Sequence, residues 1–270
     1  MPPDISIVTP SLNQGNFIGQ TIRSVLSQSG VRVQYVVVDG CSTDETRSVL
    51  ERYRDALDHL IIEPDHGQAD AIKKGFARTS GVICGYLNSD DYLLPGALER
   101  VVAYFRANPS VDVVYGDRIY VDEEDRLLRY WRLPPHSDFI NCRWDFIPQE
   151  ACFWRRSVME QMGGIDSSYR FAVDYDLFAR MMKAGKRFVH LAEFFAVFRE
   201  HPGSKTTSAW ESTGAPEMER VRRKYGFEVK PYQMVPAALH YGLLQLRSGW
   251  FRWRYPAGPA VFADRSKAGG

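Results

Sequence analysis

The stretch ISIVTPSLNQGNFIGQTIRSVLSQSGVRVQYVVVDG, Ile5 to Gly40, carries the decision about the fold. Ile5-Ser6-Ile7-Val8-Thr9 is a short β-rich run that ends at Pro10 and reads as a buried first strand. After a loop at Ser11 to Asn16, Ile18, Ile22, Val25 and Leu26 recur at helical spacing. Val33 to Val38 is a second apolar, β-branched run, stopped by Asp39-Gly40. Strands that are apolar throughout, with an amphipathic helix between them, indicate a parallel sheet covered on both faces.

The rhythm continues outward from this unit. Ser42-x-x-Glu45 reads as a capping box that opens a helix through Tyr53. Leu60 to Ile62 is a third strand, Gln68 to Ala77 a helix and Val82 to Leu87 a fourth strand. Pro95 then starts a helix with Leu98, Val101, Val102 and Phe105 on one face. The fold class is therefore α/β, with a mostly parallel central sheet and helices on both faces. From about Val111 the pattern changes. Val111 to Tyr115 reads as a strand, and Arg118 to Val121 with Leu127 to Trp131 as a hairpin around Asp122 to Asp125. A polar, aromatic loop runs to Ile147, followed by a strand at Ala151 to Trp154 and a helix near Val158. Asp174 to Ala184 is helical, with Leu177, Phe178, Met181 and Met182 inward. Phe188 to Leu191 and Phe194 to Phe198 read as strands, and Phe194, Phe195 and Phe198 as core.

Composition narrows the function. The 270 residues suit one large α/β domain, or a domain with a small appendage. Hydrophobic residues at 44% and charged residues at 25% are ordinary for a globular protein, and a net charge of +1 gives no reason to expect nucleic acid. Cys41, Cys84, Cys142 and Cys152 form no CxxC pair or dense framework, which points to a reducing compartment. No signal peptide and no stretch long enough to span a membrane is read, so the catalytic part is expected in the cytoplasm.

In such sheets ligands bind beyond the carboxyl ends of the strands, and the polar residues gather there. Those ends carry Thr9-Pro10-Ser11, Asp39-Gly40, Glu63-Pro64-Asp65 and Asn88-Ser89-Asp90-Asp91. YLNSDDYLLP, Tyr86 to Pro95, is the strongest feature. Its clustered carboxylates repel one another unless a cation or solvent compensates, and a hard divalent cation shared with a pyrophosphate rewards the arrangement. The plain alternative is a solvated turn with a helix cap, at a strand end expected on the surface. Asp174 and Asp176 begin a helix, where capping competes with the role of a base facing the crevice. His201, with Ser204 and Lys205, forms a loop suited to phosphate, or has a structural role.

Taken in order, SIVTPSLNQGNFIGQTIRSVLSQ, VVVDGCSTDET, EPDHGQADAIKKGF, GYLNSDDYLLPGAL, IPQEACFWRR, AVDYDLFARM and FREHPGSKT resemble the blocks of family 2 glycosyltransferases. The resemblance covers Ile5 to Thr207 and implies a GT-A nucleotide-diphospho-sugar transferase fold that inverts the anomeric centre. It implies that Thr9, Pro10 and Asn13 line the nucleoside pocket, that Asp39 bonds base or ribose, and that Asp65 and Gln68 shape the sugar-nucleotide side. Asn88, Ser89 and Asp90 stand where the family has its Asp-x-Asp motif, with Asp91 just beyond, and Asp174 stands at the catalytic base. His201 falls in the block that helps hold diphosphate or metal, so Mn²⁺ or Mg²⁺ at Asp90, Asp91 and His201 is implied. The chain departs from the pattern at Asn88, which replaces the first Asp of the motif, and at Val173, where an acidic residue is common.

The resulting expectation is an inverting glycosyltransferase using a nucleoside-diphosphate sugar, UDP-linked, with a glycan or lipid-linked acceptor and no nucleic-acid partner. A catalytically inactive nucleotide-sugar-binding module is the alternative. A nucleotidyltransferase is disfavoured, because SLNQGNF lacks Lys and Arg, and a dinucleotide-binding dehydrogenase because no GxGxxG follows the first strand. The expected division is a catalytic domain at 1-207, with its nucleotide-binding part about 1-117 and its acceptor-side part about 118-207, and a helical, aromatic extension at 208-270. Acceptor specificity is expected in the loop Leu133 to Ile147 and in the C-terminal third. In Met234 to Tyr255, apolar residues followed by Arg247, Trp250, Phe251, Arg252, Trp253 and Arg254 suit peripheral membrane contact, or packing on the catalytic domain.

Overall fold

The computed structural model describes residues 2–227, with isolated positions at 235, 238, 239, 242 and 243. The first half follows the alternation of the sequence: β1 (Ile5–Ser11), α1 (Ile18–Leu26), β2 (Val33–Asp39), α2 (Thr46–Tyr53), β3 (His59–Ile62), α3 (Gln68–Phe76) and β4 (Ile83–Tyr86). These four strands pair in parallel in the order β3-β2-β1-β4, so their carboxyl ends all open on one edge. Alternate residues of each strand serve opposite faces. Val8, Val36, Val38, Cys84 and Tyr86 join one buried cluster, and Ile5, Ile7, Tyr35, Val37 and Ile83 join another. Gly75 of α3 allows that helix to lie close on β1, because an added Cβ there would meet Val8 Cγ1 at 2.3 Å.

The second half mixes strand directions. It comprises β5 (Tyr92–Leu93), α4 (Ala97–Ala107), β6 (Val113–Val121), β7 (Leu127–Trp131), α5 (Asp138–Asn141), β8 (Cys152–Arg155), α6 (Arg156–Gln161), α7 (Val173–Lys183) and β9 (Phe188–Arg199). β8 joins β4 to β6 with antiparallel pairing on both sides, β9 runs parallel to β6, and β5 and β7 are antiparallel additions. The chain then forms α8 (Lys205–Ser208), a π-helical turn at Trp210–Gly214 and α9 (Ala215–Tyr225).

Several local expectations change. Ser42 and Glu45 do not form a capping box: helix α2 begins at Thr46, whose N–H bonds Asp44 Oδ1, while Ser42 turns back to Asp39. The α4 helix begins beyond Pro95, after Gly96 in a left-handed conformation. The two strands expected at Val111 to Val121 are one strand, as are those at Phe188 to Phe198. Of Phe194, Phe195 and Phe198 in β9 only Phe195 is fully buried, whereas Phe198 is partly exposed in a cavity wall.

Beyond the boundary expected at residue 207, the described helix α9 packs on the residues before it. Met218 and Val221 of α9 belong to the core beside α7, and Glu217 accepts the N–H groups of Arg170, Phe171 and Ala172 just before α7. The reading of Met234 to Tyr255 lies outside the described residues apart from 235, 238, 239, 242 and 243, where Val235, Leu239 and Leu243 are exposed. Among the described residues no helix is long and apolar enough to cross a membrane.

Candidate active site

Two adjoining cavities open at the carboxyl ends of the parallel strands. The smaller, ≈ 240 Å³, is bounded by Pro10, Ser11, Asp65, Ser89, Asp90 and Ser204 among others. The larger, ≈ 390 Å³, is bounded by Tyr86, Trp131, Asp145, Glu150, Asp174 and Trp210 among others. Gln68, Asn88, Phe198, Lys205 and Thr206 belong to both walls and form the partition. Its polar centre is a relay: Gln68 Nε2 donates to Asn88 Oδ1 at 2.6 Å, and Lys205 Nζ donates to Gln68 Oε1 at 2.8 Å and to the Arg170 carbonyl at 3.0 Å. Burial lowers the Lys205 pKa, against the pull of Glu217, Asp90 and other carboxylates.

The turn after β4 is fastened from far along the chain. Thr21 Oγ1 lies 2.9 Å from the Ser89 carbonyl oxygen and 2.7 Å from that of Asp91, sharing one hydrogen between them. The Arg199 side chain, 1% exposed, donates from Nε to the Asp90 carbonyl at 3.1 Å, and its guanidinium pairs with Asp125 at 2.8 Å. Arg199 thereby ties this turn to the β6–β7 hairpin. The Asp90 carboxylate is left at the cavity, where Oδ2 lies 3.1 Å from His201 Nε2. The His201 ring packs against Phe17 with centroids 4.9 Å apart.

This pair fits one hard divalent ion. Two neighbouring ligands of an octahedral ion at about 2.1 Å are about 3 Å apart, close to the observed spacing, and such ions take one or two protein ligands with the rest from phosphate and water. Among the described residues no group of three or more His, Cys, Asp and Glu forms a closed cage. The third expected ligand, Asp91, is set apart from this pair. It is 1% exposed and lies outside both cavity walls, with Oδ1 accepting the Arg199 N–H at 3.0 Å. Burial, then the charge of Asp90, raises its pKa well above the carboxylate range.

Asp174 stands in the first turn of α7 and enters the larger cavity, with Oδ1 accepting the Tyr175 N–H at 2.9 Å. Burial raises its pKa to about 6, with the Tyr175 N–H opposing and the Glu150 charge adding to the rise. Asp176, two residues on, is fully buried and locked by Arg180 Nε at 2.9 Å and Tyr225 Oη at 2.9 Å, so it braces the helix against α9.

Three residues expected at the nucleoside, the buried Thr9 and Asp39 and the exposed Asn13, line neither cavity. Thr9 is fully buried, with Oγ1 at 2.9 Å from Tyr35 Oη. Both oxygens of the buried Asp39 are taken by Ser42, from Oγ at 2.6 Å and from N–H at 2.8 Å. Asn13 accepts the Thr43 N–H at 2.9 Å and donates its own N–H to Ser42 at 2.7 Å. They shape the loops around Pro10 and Ser11, which do line the cavity. Asp65 also lines it, and its carboxylate closes the Gly67 turn at 2.8 Å.

Sequence reasoning missed Asp145, Arg118 and Glu150. Asp145 enters the larger cavity from the loop after α5, and burial followed by the Asp174 charge raises its pKa well above the carboxylate range. Arg118 and the buried Glu150 form an ion pair at 3.3 Å in the wall. The available signal was an acid between two aromatics in Trp144-Asp145-Phe146.

Comparison with known proteins supplies the family and the fold. The profile of Glycosyl transferase family 2 matches residues 6–161. The putative teichuronic acid biosynthesis glycosyltransferase TuaG of Bacillus subtilis (strain 168) is 26% identical over 214 residues, covering 78% of this chain and 84% of TuaG. Among solved structures, S. aureus TarS (1-349) in complex with UDP-GlcNAc superposes with a TM-score of 0.66 at 17% identity, covering 82% of this chain and 71% of that one. The mannosyltransferase PcManGT from Pyrobaculum calidifontis, in complex with GDP-Man and Mn²⁺, gives a TM-score of 0.61 at 17% identity, covering 95% of this chain and 82% of that one. The last two establish the GT-A fold.

Proposed function

The chain belongs to glycosyl transferase family 2, and from that premise we propose that it moves a sugar from a nucleoside-diphosphate sugar to an acceptor hydroxyl in a single, inverting displacement. One observation carries the reading: Asp174 lies in one cavity, Asp90 with its partner His201 behind it borders the other, and the two cavities share the wall of Gln68, Asn88 and Lys205. The smaller cavity takes the nucleoside diphosphate, with Pro10 and Ser11 beside the nucleotide and Asp65 and Gln68 towards the sugar. The larger cavity admits the acceptor, whose hydroxyl meets Asp174.

The acceptor oxygen forms a bond to the sugar C1 while the bond from C1 to the diphosphate oxygen breaks. The bonding pair leaves with the diphosphate, and the hydroxyl proton passes to Asp174. A single displacement from the face opposite the leaving group inverts C1. With a pKa near 6 Asp174 is ionised at neutral pH yet basic enough to take a proton in the transition state. Lys205 contributes positive charge at the partition. Mn²⁺ or Mg²⁺ held by Asp90 and His201, with Asn88 beside them, would supply charge stabilisation for the departing diphosphate.

The UDP-GlcNAc complex of TarS and the naming of TuaG favour a UDP-linked donor and a role in polysaccharide biosynthesis. Calorimetric titration with UDP-sugars, with and without Mn²⁺, alongside measured UDP release tests the proposal. Metal-assisted binding with turnover is the expected result. Binding without any turnover would make the chain an inactive nucleotide-sugar module, and no binding of any nucleotide sugar would overturn the reading.

A further inference from the structure

The larger cavity is bordered by residues that carry polar atoms the chain leaves unpaired. Asp145 Oδ1, Gln149 Oε1, Arg118 Nε and Arg222 Nε are buried without a hydrogen-bond partner, and all four residues line this one cavity. Two of these atoms are acceptors in the ionised or amide form, and two are donors. Unmade hydrogen bonds inside a protein are costly, so their concentration at one cavity marks a place where a bound molecule completes them. The same wall presents the rings of Trp131, Trp144 and Trp210. A suitable occupant offers closely spaced hydroxyls, which donate and accept, together with an apolar C–H face for the rings. A pyranose has both features.

A simple alcohol brings one hydroxyl, and a phosphate brings acceptors alone. The two guanidinium groups are already answered by carboxylates, Arg118 by Glu150 at 3.3 Å and Arg222 by Glu219 at 4.0 Å. That leaves the cavity better suited to a neutral polyol than to an anion. The loop bearing Asp145 is held in advance: Trp144 N–H bonds the Ile140 carbonyl at 2.8 Å, and Tyr175 Oη donates to the Cys142 carbonyl at 2.9 Å. The χ2 torsion of an aspartate is broad, so its unpaired oxygen turns toward the cavity at small cost.

We infer that this cavity is an acceptor subsite for a sugar ring, and that Asp145 is a specificity-determining residue that hydrogen-bonds a second hydroxyl of that ring beside the attacking one. The inference rests on the transferase reading, in which Asp174 meets the attacking hydroxyl. The other carboxyls of the cavity are Asp145 and Glu150, and Glu150 is already paired with Arg118. Asp145 binds and orients the acceptor and takes no proton from the attacking oxygen.

The test uses the full chain with Mn²⁺ and the UDP-sugar that it hydrolyses fastest. Methyl and octyl hexopyranosides serve as ring acceptors, and glycerol and octanol as alcohols without a ring. Asp145→Asn and Asp145→Ala are compared with the unaltered protein for acceptor KM, donor KM and donor hydrolysis in the absence of acceptor. The expected result is transfer to the glycosides over the plain alcohols. Both variants then raise the glycoside KM about tenfold or more, the worth of a hydrogen bond to a buried carboxyl, a larger factor than any change in donor KM or in donor hydrolysis. Transfer to glycerol or octanol as readily as to the glycosides, transfer to none of the probes, or an unchanged glycoside KM in Asp145→Asn overturns the inference. So does a parallel fall in donor hydrolysis, which would mark a structural role. Quenching of tryptophan fluorescence by the glycosides supplies a readout that needs no turnover. If no UDP-sugar is hydrolysed, the transferase reading fails, and glycoside quenching weakened about tenfold in Asp145→Asn still supports the subsite, whereas equal quenching or none overturns it.

Discussion

Replacing Asp174 with Asn removes the proposed base and little else. The amide is nearly isosteric, and its oxygen still accepts the Tyr175 N–H now made at 2.9 Å. Transfer should therefore fall by about two to four orders of magnitude, the usual worth of a general base, while donor affinity stays within about twofold. The pH profile adds a second reading. Because Asp174 titrates at about 6, kcat/KM of the unaltered enzyme should fall about tenfold per pH unit below that point and level off above it, whereas the residual rate of the variant should lack this limb. Stability should move the other way. The folded pKa is raised above the unfolded one, so the group favours folding at pH values below the ordinary 3.8, and that contribution is lost as pH rises through about 6. At neutral pH the ionised carboxylate thus costs as much as about 3 kcal/mol, and Asp174→Asn should melt higher there, with the difference closing in acid. Single-turnover kinetics with the best UDP-sugar, binding calorimetry and melting curves across pH measure these effects. Loss of donor affinity with turnover retained, or an acid limb that survives the substitution, would refute the assignment.

Asp90→Ala and His201→Ala should each weaken Mn²⁺-dependent UDP binding by about tenfold or more in calorimetry, since each removes one of the two protein donors. Asp91→Ala should act on stability instead, lowering it by about 1–3 kcal/mol in chemical denaturation by stranding the buried Arg199 N–H, whereas Asp91→Asn should retain most of the bond. Gly75→Ala should cost about 1–3 kcal/mol in the same assay, because its Cβ would meet Val8 Cγ1 at 2.3 Å and force α3 off β1. An unchanged midpoint for Gly75→Ala would contradict the close approach of the two elements.

The alternation of buried strands and amphipathic helices was plain in the sequence because parallel strands are apolar on both faces and each helix declares its period locally. The cavity residues Pro10, Asp65, Asn88, Ser89, Asp90 and Asp174 were also legible, since each sits at a strand end or helix start marked by a break in the apolar pattern, whereas Gln68 came only with the family resemblance. What was not legible is which way a side chain turns when its partner is remote. Asp91 and Asp90 are neighbours of the same type, yet a backbone N–H 108 residues away claims Asp91. Thr9 is taken by Tyr35 on the adjacent strand, and Ser42 is drawn from its expected helix cap to Asp39. Asp145 lies in a loop without periodicity, and only the packing of α5 and α7 brings it into the cavity with Asp174.

The most direct test of a single displacement from a nucleotide sugar is the configuration of the first sugar released. Time-resolved proton NMR of the C1 signal, with the full chain, Mn²⁺, the UDP-α-sugar that it hydrolyses fastest and water as acceptor, reads that configuration before mutarotation scrambles it. The account predicts that the β anomer appears first, together with UDP. Early release of the α anomer, or tight donor binding with no sugar released at all, would contradict it.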